Sequence, residues 1–364
     1  MIIDLDSHLR DSYFLDEIYK LEEPYARFTP VRTGDGKHHK TKFLHTLDPI
    51  SPQGKAAHSH PYIYDPEYGW RGGEIAARQV AGYDMEVRRE GIKKEGVEKQ
   101  IIFPTQISIA TQNIGPLGGQ LARCYNNWVA NLVKGYEDVF LPCAMASGGY
   151  PEAMAGELRR AVKELGFKAG HLVPYCGSRN LDSSDYYDYY LAAEELNVPL
   201  FCHPNSNGDL VDRFDNFFKT HVLGRPMNCT PALIALVLGG IFEKFPKLKV
   251  VFFECSAEFP LYWMHRMDDD WEWAQDFSQL KGALKMPPSE YVRRNCYFTC
   301  EADEKDLARP FAELGDDHIL MATDYPHFDS EYPHTVAGLK ARQDITARQK
   351  DKLLGENAAR LLNL

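Results

Sequence analysis

The chain has no excess of positive charge: 41 Lys and Arg face 52 Asp and Glu, for a formal net charge of −11. Nucleic acid and anionic membranes both select a cationic surface, so neither is expected as a partner. Long apolar runs are also missing. The longest, Ala232 to Phe242, is interrupted by Gly239 and Gly240 and is well short of the roughly 20 residues that span a bilayer. The first residues place acids where a secretory leader has a basic region and an apolar stretch, so no leader is expected. Cysteine is present but unpatterned: Cys124, Cys143, Cys176, Cys202, Cys229, Cys255, Cys296 and Cys300 lack zinc-finger spacing, and several lie in apolar runs. A reduced, cytoplasmic protein accounts for them. Finally, no glycine-rich phosphate loop follows the first strand-like segment, which disfavours an open, doubly wound nucleotide-binding sheet.

The sequence does contain ample core material, 44% hydrophobic and 12% aromatic residues over 364 positions. From Tyr83 onward, helical and strand patterns alternate. Strands are expected at Gln100–Pro104, Val139–Met145, Phe167–Val173, Val198–His203, Leu248–Glu254, Cys296–Thr299 and His318–Asp324, with Ile2–His8 ahead of them. Helices are expected between them, among them Pro231–Phe245 and Glu304–Leu314. Strands that are apolar throughout are buried on both faces of a parallel sheet. Eight such units give a (β/α)8 TIM barrel, a single α/β domain over residues 1–364. Residues 10–82 lose periodicity and are rich in Pro, Gly, His and Tyr. They are expected to be an insertion after the first strand that caps the C-terminal face, where His58 and His60 are either pocket-lining or solvent-exposed loop residues.

Barrel chemistry sits at the C-terminal ends of the strands. Asp6 and His8 are two apart at the end of the first strand, so both side chains point to one face. The other strand ends supply His171, His203, Glu254 and Asp324. Together Asp6, His8, His203 and Asp324 form an oxygen and nitrogen set suited to a divalent Zn, Mn or Fe ion with room for water. Each also has a plainer reading, as a strand-end cap or a turn residue.

The segments Asp6-Ser7-His8, Phe201-Cys202-His203-Pro204, Gly239 to Val250, Thr323-Asp324-Tyr325-Pro326-His327-Phe328-Asp329 and Gly355 to Leu361 carry a specific resemblance. As a set they resemble the amidohydrolase-related family that includes aminocarboxymuconate semialdehyde decarboxylase, through nearly the whole chain outside the insertion. The resemblance implies a metal held by Asp6, His8, His203 and Asp324. Three departures from the family pattern stand out: Asp-x-His replaces His-x-His, Glu254 stands where strand six often has His, and Asp11 stands where a Glu often follows in the Asp-Ser-His subgroup. The anionic Asp-x-His shifts preference toward Mn or Fe.

His221, expected in the loop before the sixth unit, resembles a subgroup His that faces the metal. Acid/base, second-metal ligand and ordinary loop residue are all open to it. His327 and Asp329 follow Asp324 closely enough to orient a ligand or bind a second ion. Arg225, His171 and the insertion are candidates for holding a small-molecule substrate. Two functions follow as expectations. The first is a metal-dependent hydrolase or non-oxidative decarboxylase of a small carboxylated or aromatic compound, with Asp324, Glu254 or His221 moving the proton. The second is a dinuclear iron/manganese oxygenase, or a metal-bearing partner subunit of one. The expected assembly is a homo-oligomer or a pairing with a homologous subunit.

Overall fold

Ile101, Ile102 and Phe103 are wholly buried along the strand they form, as expected for parallel sheet covered on both faces. Buried residues dominate every barrel stave of the computed structural model, which describes residues 1–11, 14–33, 40–42, 81–204, 217–274, 276–277, 284–327 and 329–364. The strands are β1 (Ile3–Asp4), β2 (His8–Leu9), β3 (Val31–Thr33), β4 (Lys40–Lys42), β5 (Lys99–Pro104), β6 (Phe140–Ala144), β7 (Ala169–Leu172), β8 (Leu200–Cys202), β9 (Val250–Phe252), β10 (Cys296–Cys300) and β11 (Ile319–Met321). β1 and β2 both pair with β5, so they are one stave in two pieces, and β6 to β11 follow in chain order, all parallel. The ring closes through Leu5 N–H to Met321 O (3.1 Å) and His8 N–H to Tyr325 O (2.7 Å). This is the eight-stave barrel read from the sequence. Among the described residues no helix is long and apolar enough to cross a membrane, and all eight cysteines are free.

Helix Met85–Glu95 shows how the local sequence sets an element. Asp84 accepts hydrogen bonds from Glu86 N and Val87 N, and Gly96, at φ 83°, ends the helix by bonding back to Ile92 O and Lys93 O. Such a cap contributes about 1 kcal/mol. Met85, Arg88 and Ile92 share its buried face, at the spacing that puts side chains on one stripe.

Four expectations need correction. The first strand is interrupted at Asp6, whose N–H is taken by Asp4 Oδ1 at 3.1 Å. The helix expected to begin at Pro231 spans Phe217–Leu238, with Pro226 and Pro231 inside it. Proline usually starts or breaks a helix, yet here the Asn228 and Thr230 side chains bond the carbonyls of Gly224 and Pro226. His221 is therefore helical and does not lie in a loop. The helix expected from Glu304 begins at Ala308, and the Glu304 carboxylate accepts from Ala257 N, Ser256 Oγ and Glu301 N.

The insertion contains a short helix, Leu15–Ile18, and the antiparallel hairpin of β3 and β4. Residues 34–39 and 43–80, with His58 and His60 among them, lie outside the described residues, and so does any capping role they have. The insertion's two ends meet where Arg10 N–H donates to Gly82 O (2.7 Å). A Cβ at position 82 would fall 2.1 Å from Arg10 Cγ, so the contact requires glycine.

Candidate metal centre

The barrel gathers Asp6, His8 and His203 in one group of facing atoms and His8, Asp324, Glu254 and His327 in a second that shares His8. His8 Nε2 lies 3.3 Å from Asp6 Oδ1 and 3.2 Å from Asp324 Oδ1, and His203 Nε2 lies 3.6 Å from Asp6 Oδ1. All four residues are at least 95% buried. None of these four facing atoms makes a hydrogen bond.

The tautomers follow from the other ring nitrogens. His8 Nδ1 faces Pro104 O at 3.2 Å and His203 Nδ1 faces Pro204 O at 3.0 Å. A carbonyl only accepts, so each Nδ1 carries the hydrogen and each Nε2 lone pair points at the carboxylates. Buried acceptors converging without a proton between them repel one another unless a cation joins them. The arrangement therefore fits a divalent metal, and metal-bound histidines commonly anchor their outer nitrogen in this way. A proton is the other positive charge that these groups attract. Burial opposes ionisation of Asp6, but His203 and His8 hold its carboxyl well below the usual range. Burial lowers His203, yet Asp6 and Glu254 outweigh it and raise the ring.

Asp324 lies in the left-handed region at φ 52°, as does Glu254 at φ 51°. That conformation costs a non-glycine residue about 1–2 kcal/mol, and such strain gathers at functional sites. Burial first, then Asp329, Glu254, Asp6 and Glu301, push the Asp324 acid well above the ordinary carboxylate range. His327 Nδ1 approaches Asp324 Oδ1 to 2.8 Å. The Thr105 hydroxyl donates to Leu9 O (2.7 Å) and meets His327 Nε2 at 3.2 Å, so that nitrogen carries the hydrogen and the lone pair faces Asp324. Burial, with His8 and nearby arginines, pushes His327 well below its ordinary value and keeps it neutral.

The remaining candidates fall around this centre. Arg225 Nη1 pairs with Glu254 Oε2 at 3.0 Å. His221 Nε2 reaches Asp329 Oδ2 at 3.2 Å across a partly exposed mouth. His171 is wholly buried with neither ring nitrogen hydrogen-bonded, and burial, then His203, lowers it to about 3. Asp11 is not at the site: its Oδ1 accepts from Thr105 N and Gln106 N.

Sequence reasoning missed Glu301 and Thr105. Glu301 follows β10, an end passed over because that strand was expected to stop at Thr299. Burial, then Asp329 and Glu254, raise its acid, which places it beside the centre. Nothing in the sequence marks Thr105 beyond its position one residue past β5.

A closed parallel barrel with buried carboxylates and imidazoles converging at its C-terminal face is the architecture of a metal-dependent α/β-barrel enzyme. Residues 57–364 match the family model described as Amidohydrolase (Amidohydro_2), and the chain belongs to that family. It is similar to the 2-amino-3-carboxymuconate-6-semialdehyde decarboxylase of Dictyostelium discoideum, with 23% identity over 78% of this chain and 77% of the relative. It is also similar to the gamma-resorcylate decarboxylase of a Polaromonas species, with 25% identity over 82% of this chain and 92% of the relative. Among solved structures, the 5-carboxyvanillate decarboxylase of Novosphingobium aromaticivorans, bearing bound manganese and a nitrobenzoic acid ligand, has the same fold. Its TM-score is 0.76 and its identity 21%, covering 100% of this chain and 97% of that one.

Proposed function

We propose that this chain is a metal-dependent, non-oxidative decarboxylase of a small carboxylic acid, with hydroxylated aromatic acids as the first class to test. The observation that carries the proposal is the set of buried acceptors on Asp6, His8, His203 and Asp324, whose facing atoms make no hydrogen bond. The relatives named above, decarboxylases by name, support the reaction type. Manganese is the first ion to test, because the similar solved structure holds it.

A divalent ion on these four residues would supply a Lewis acid for the substrate's oxygens. The chain's own groups do the rest. Asp324, once it has taken a proton that burial and its acidic neighbours favour, is the acid that delivers it to the carbon losing carbon dioxide. The carbon–carbon bond breaks, its electron pair stays on that carbon, and the Asp324 proton forms the new C–H bond. His327, oriented by Thr105, holds the Asp324 carboxyl in place. Arg225, aimed by its ion pair with Glu254, offers a guanidinium to a substrate oxygen. The His221–Asp329 pair at the mouth returns a proton from solvent.

A panel of ortho-hydroxybenzoic acids incubated with the manganese-loaded protein in deuterated water tests the reaction. Carbon dioxide release with one deuterium at the vacated carbon is expected. Products that have gained water, or oxygen consumption, overturn the reading.

One observation favours a second reading: His8, Glu254, Asp324 and His327 also gather within 4.8 Å, overlapping the Asp6, His8 and His203 group at His8. Two ions there would suit an iron/manganese oxygenase. Against this, Glu254 already faces the Arg225 cation. Elemental analysis decides: one ion per chain supports the decarboxylase, and an iron-containing pair supports the oxygenase.

A further inference from the structure

Arg88 is wholly buried, rising from helix Met85–Glu95 against the seam where the first stave meets the last. All five of its N–H groups are used. Nε donates to Gln100 Oε1 (2.8 Å) and Nη1 to His8 O (2.8 Å) and Ala81 O (3.1 Å). Nη2 donates to Ser7 Oγ (2.7 Å) and Tyr325 O (3.4 Å). Gln100 passes the connection on, its Nε2 donating to Asp4 Oδ2 at 2.7 Å. Asp4 in turn accepts from Asp6 N (3.1 Å), Thr323 N (2.9 Å) and Thr323 Oγ1 (2.6 Å).

The bonded atoms flank the ligand residues. Asp6 has its own N–H on Asp4, and Arg88 holds the neighbouring Ser7 hydroxyl. His8 has its own carbonyl on Arg88. Asp324 lies between Thr323, held by Asp4, and Tyr325, whose carbonyl is held by Arg88. One network therefore fixes both ends of the seam that delivers two carboxylates and an imidazole to the centre. A buried charged network is weak support for stability, since apolar residues of similar volume do as well, but it imposes one geometry. Arg's rigid fork suits it to that task and Lys would not replace it.

We infer that Arg88, acting through Gln100 and Asp4, is a positioning residue that sets the spacing between the Asp6–His8 end and the Asp324 end and thereby the affinity for the metal. The inference rests on reading Asp6, His8 and Asp324 as ligands. Manganese(II) titration followed by electron paramagnetic resonance, on the full chain, tests both. Arg88→Met is expected to weaken manganese binding by about tenfold or more, the loss typical of an outer partner of a metal site, and to change the zero-field splitting of the bound ion. Gln100→Met, which leaves four Arg88 bonds in place, is expected to weaken it less and carries the test if Arg88→Met does not fold. Asp324→Ala is the control for the ligands and is expected to lose manganese. Wild-type affinity and spectrum in the Arg88 and Gln100 variants, with loss in Asp324→Ala, overturn the positioning role alone. Manganese retained by Asp324→Ala overturns the ligand reading and the positioning role with it.

Discussion

Two sides of the proposed centre hold their proposed ligands by different means. At the seam of β1, β2 and β11, Asp6, His8 and Asp324 are fixed by hydrogen bonds: Asp324 N–H donates to Asp6 O (3.0 Å), and the Asp4–Gln100–Arg88 network ties the flanking backbone. On the side of β8 and β9, His203 is fixed by aromatic packing, with its ring centroid 5.1 Å from Phe103 and 5.7 Å from Phe253. Phe103, Phe201 and Phe253 complete that wall at mutual distances of 5.0–6.0 Å. At the seam the bonds fix the backbone and leave Asp6 Oδ1 and Asp324 Oδ1 facing the centre, whereas the His203 imidazole, with one nitrogen on a carbonyl, is held largely by contact area. The polar seam is therefore sensitive to charge and pH, and the aromatic wall to volume.

The largest break in this contrast comes from the wall's one proposed ligand. His203→Ala is expected to cost more metal affinity than the roughly 10–100-fold of an outer-partner loss, with the fold intact by circular dichroism. Full metal content in the purified variant would refute the assignment. Next is the pair that crosses between the two sides: His221→Asn is expected to lower kcat by about 10²–10⁴-fold with little change in melting temperature, since the residue is partly exposed. Unchanged kcat removes it from the proton path.

Phe253→Ala tests the wall by volume. A buried Phe-to-Ala change costs about 3–5 kcal/mol, read from the denaturation midpoint, and it should also loosen His203 and weaken metal binding. The smallest effect is a pH dependence near the polar seam. Asp11 is wholly buried, with its Oδ2 unbonded, and burial raises its acid from 3.8 to about 6. A raised folded-state value means that this stabilisation is full below about 4 and lost as pH rises through about 6, by about 3 kcal/mol in total. Asp11→Asn should flatten the difference in unfolding free energy between those pH values. An unchanged slope means that Asp11 ionises normally.

The barrel and its strand ends were legible because burial on both faces writes unbroken apolar runs into a sequence, and the polar residue that ends each run is easy to find. Asp6, His8, His203, Glu254 and Asp324 were found that way. Other features left no such trace. Pro226 and Pro231 suggest a helix start, and only the structure shows that the helix continues through them and carries His221. Glu301 was hidden by a strand that reads one residue short. Arg88 looked like any charge in a helix rich in Arg, Lys and Glu; only the three-dimensional packing shows its guanidinium turned inward.

The sequence alone determined that eight apolar strands would close into a barrel and that acids and imidazoles would stand at particular strand ends, because periodicity and composition are local properties. Only the tertiary structure decided which of those residues share a centre, which nitrogen of each ring faces it, and which buried cation holds the seam. Those depend on distances between residues hundreds of positions apart, and closing the ring is what brings them together.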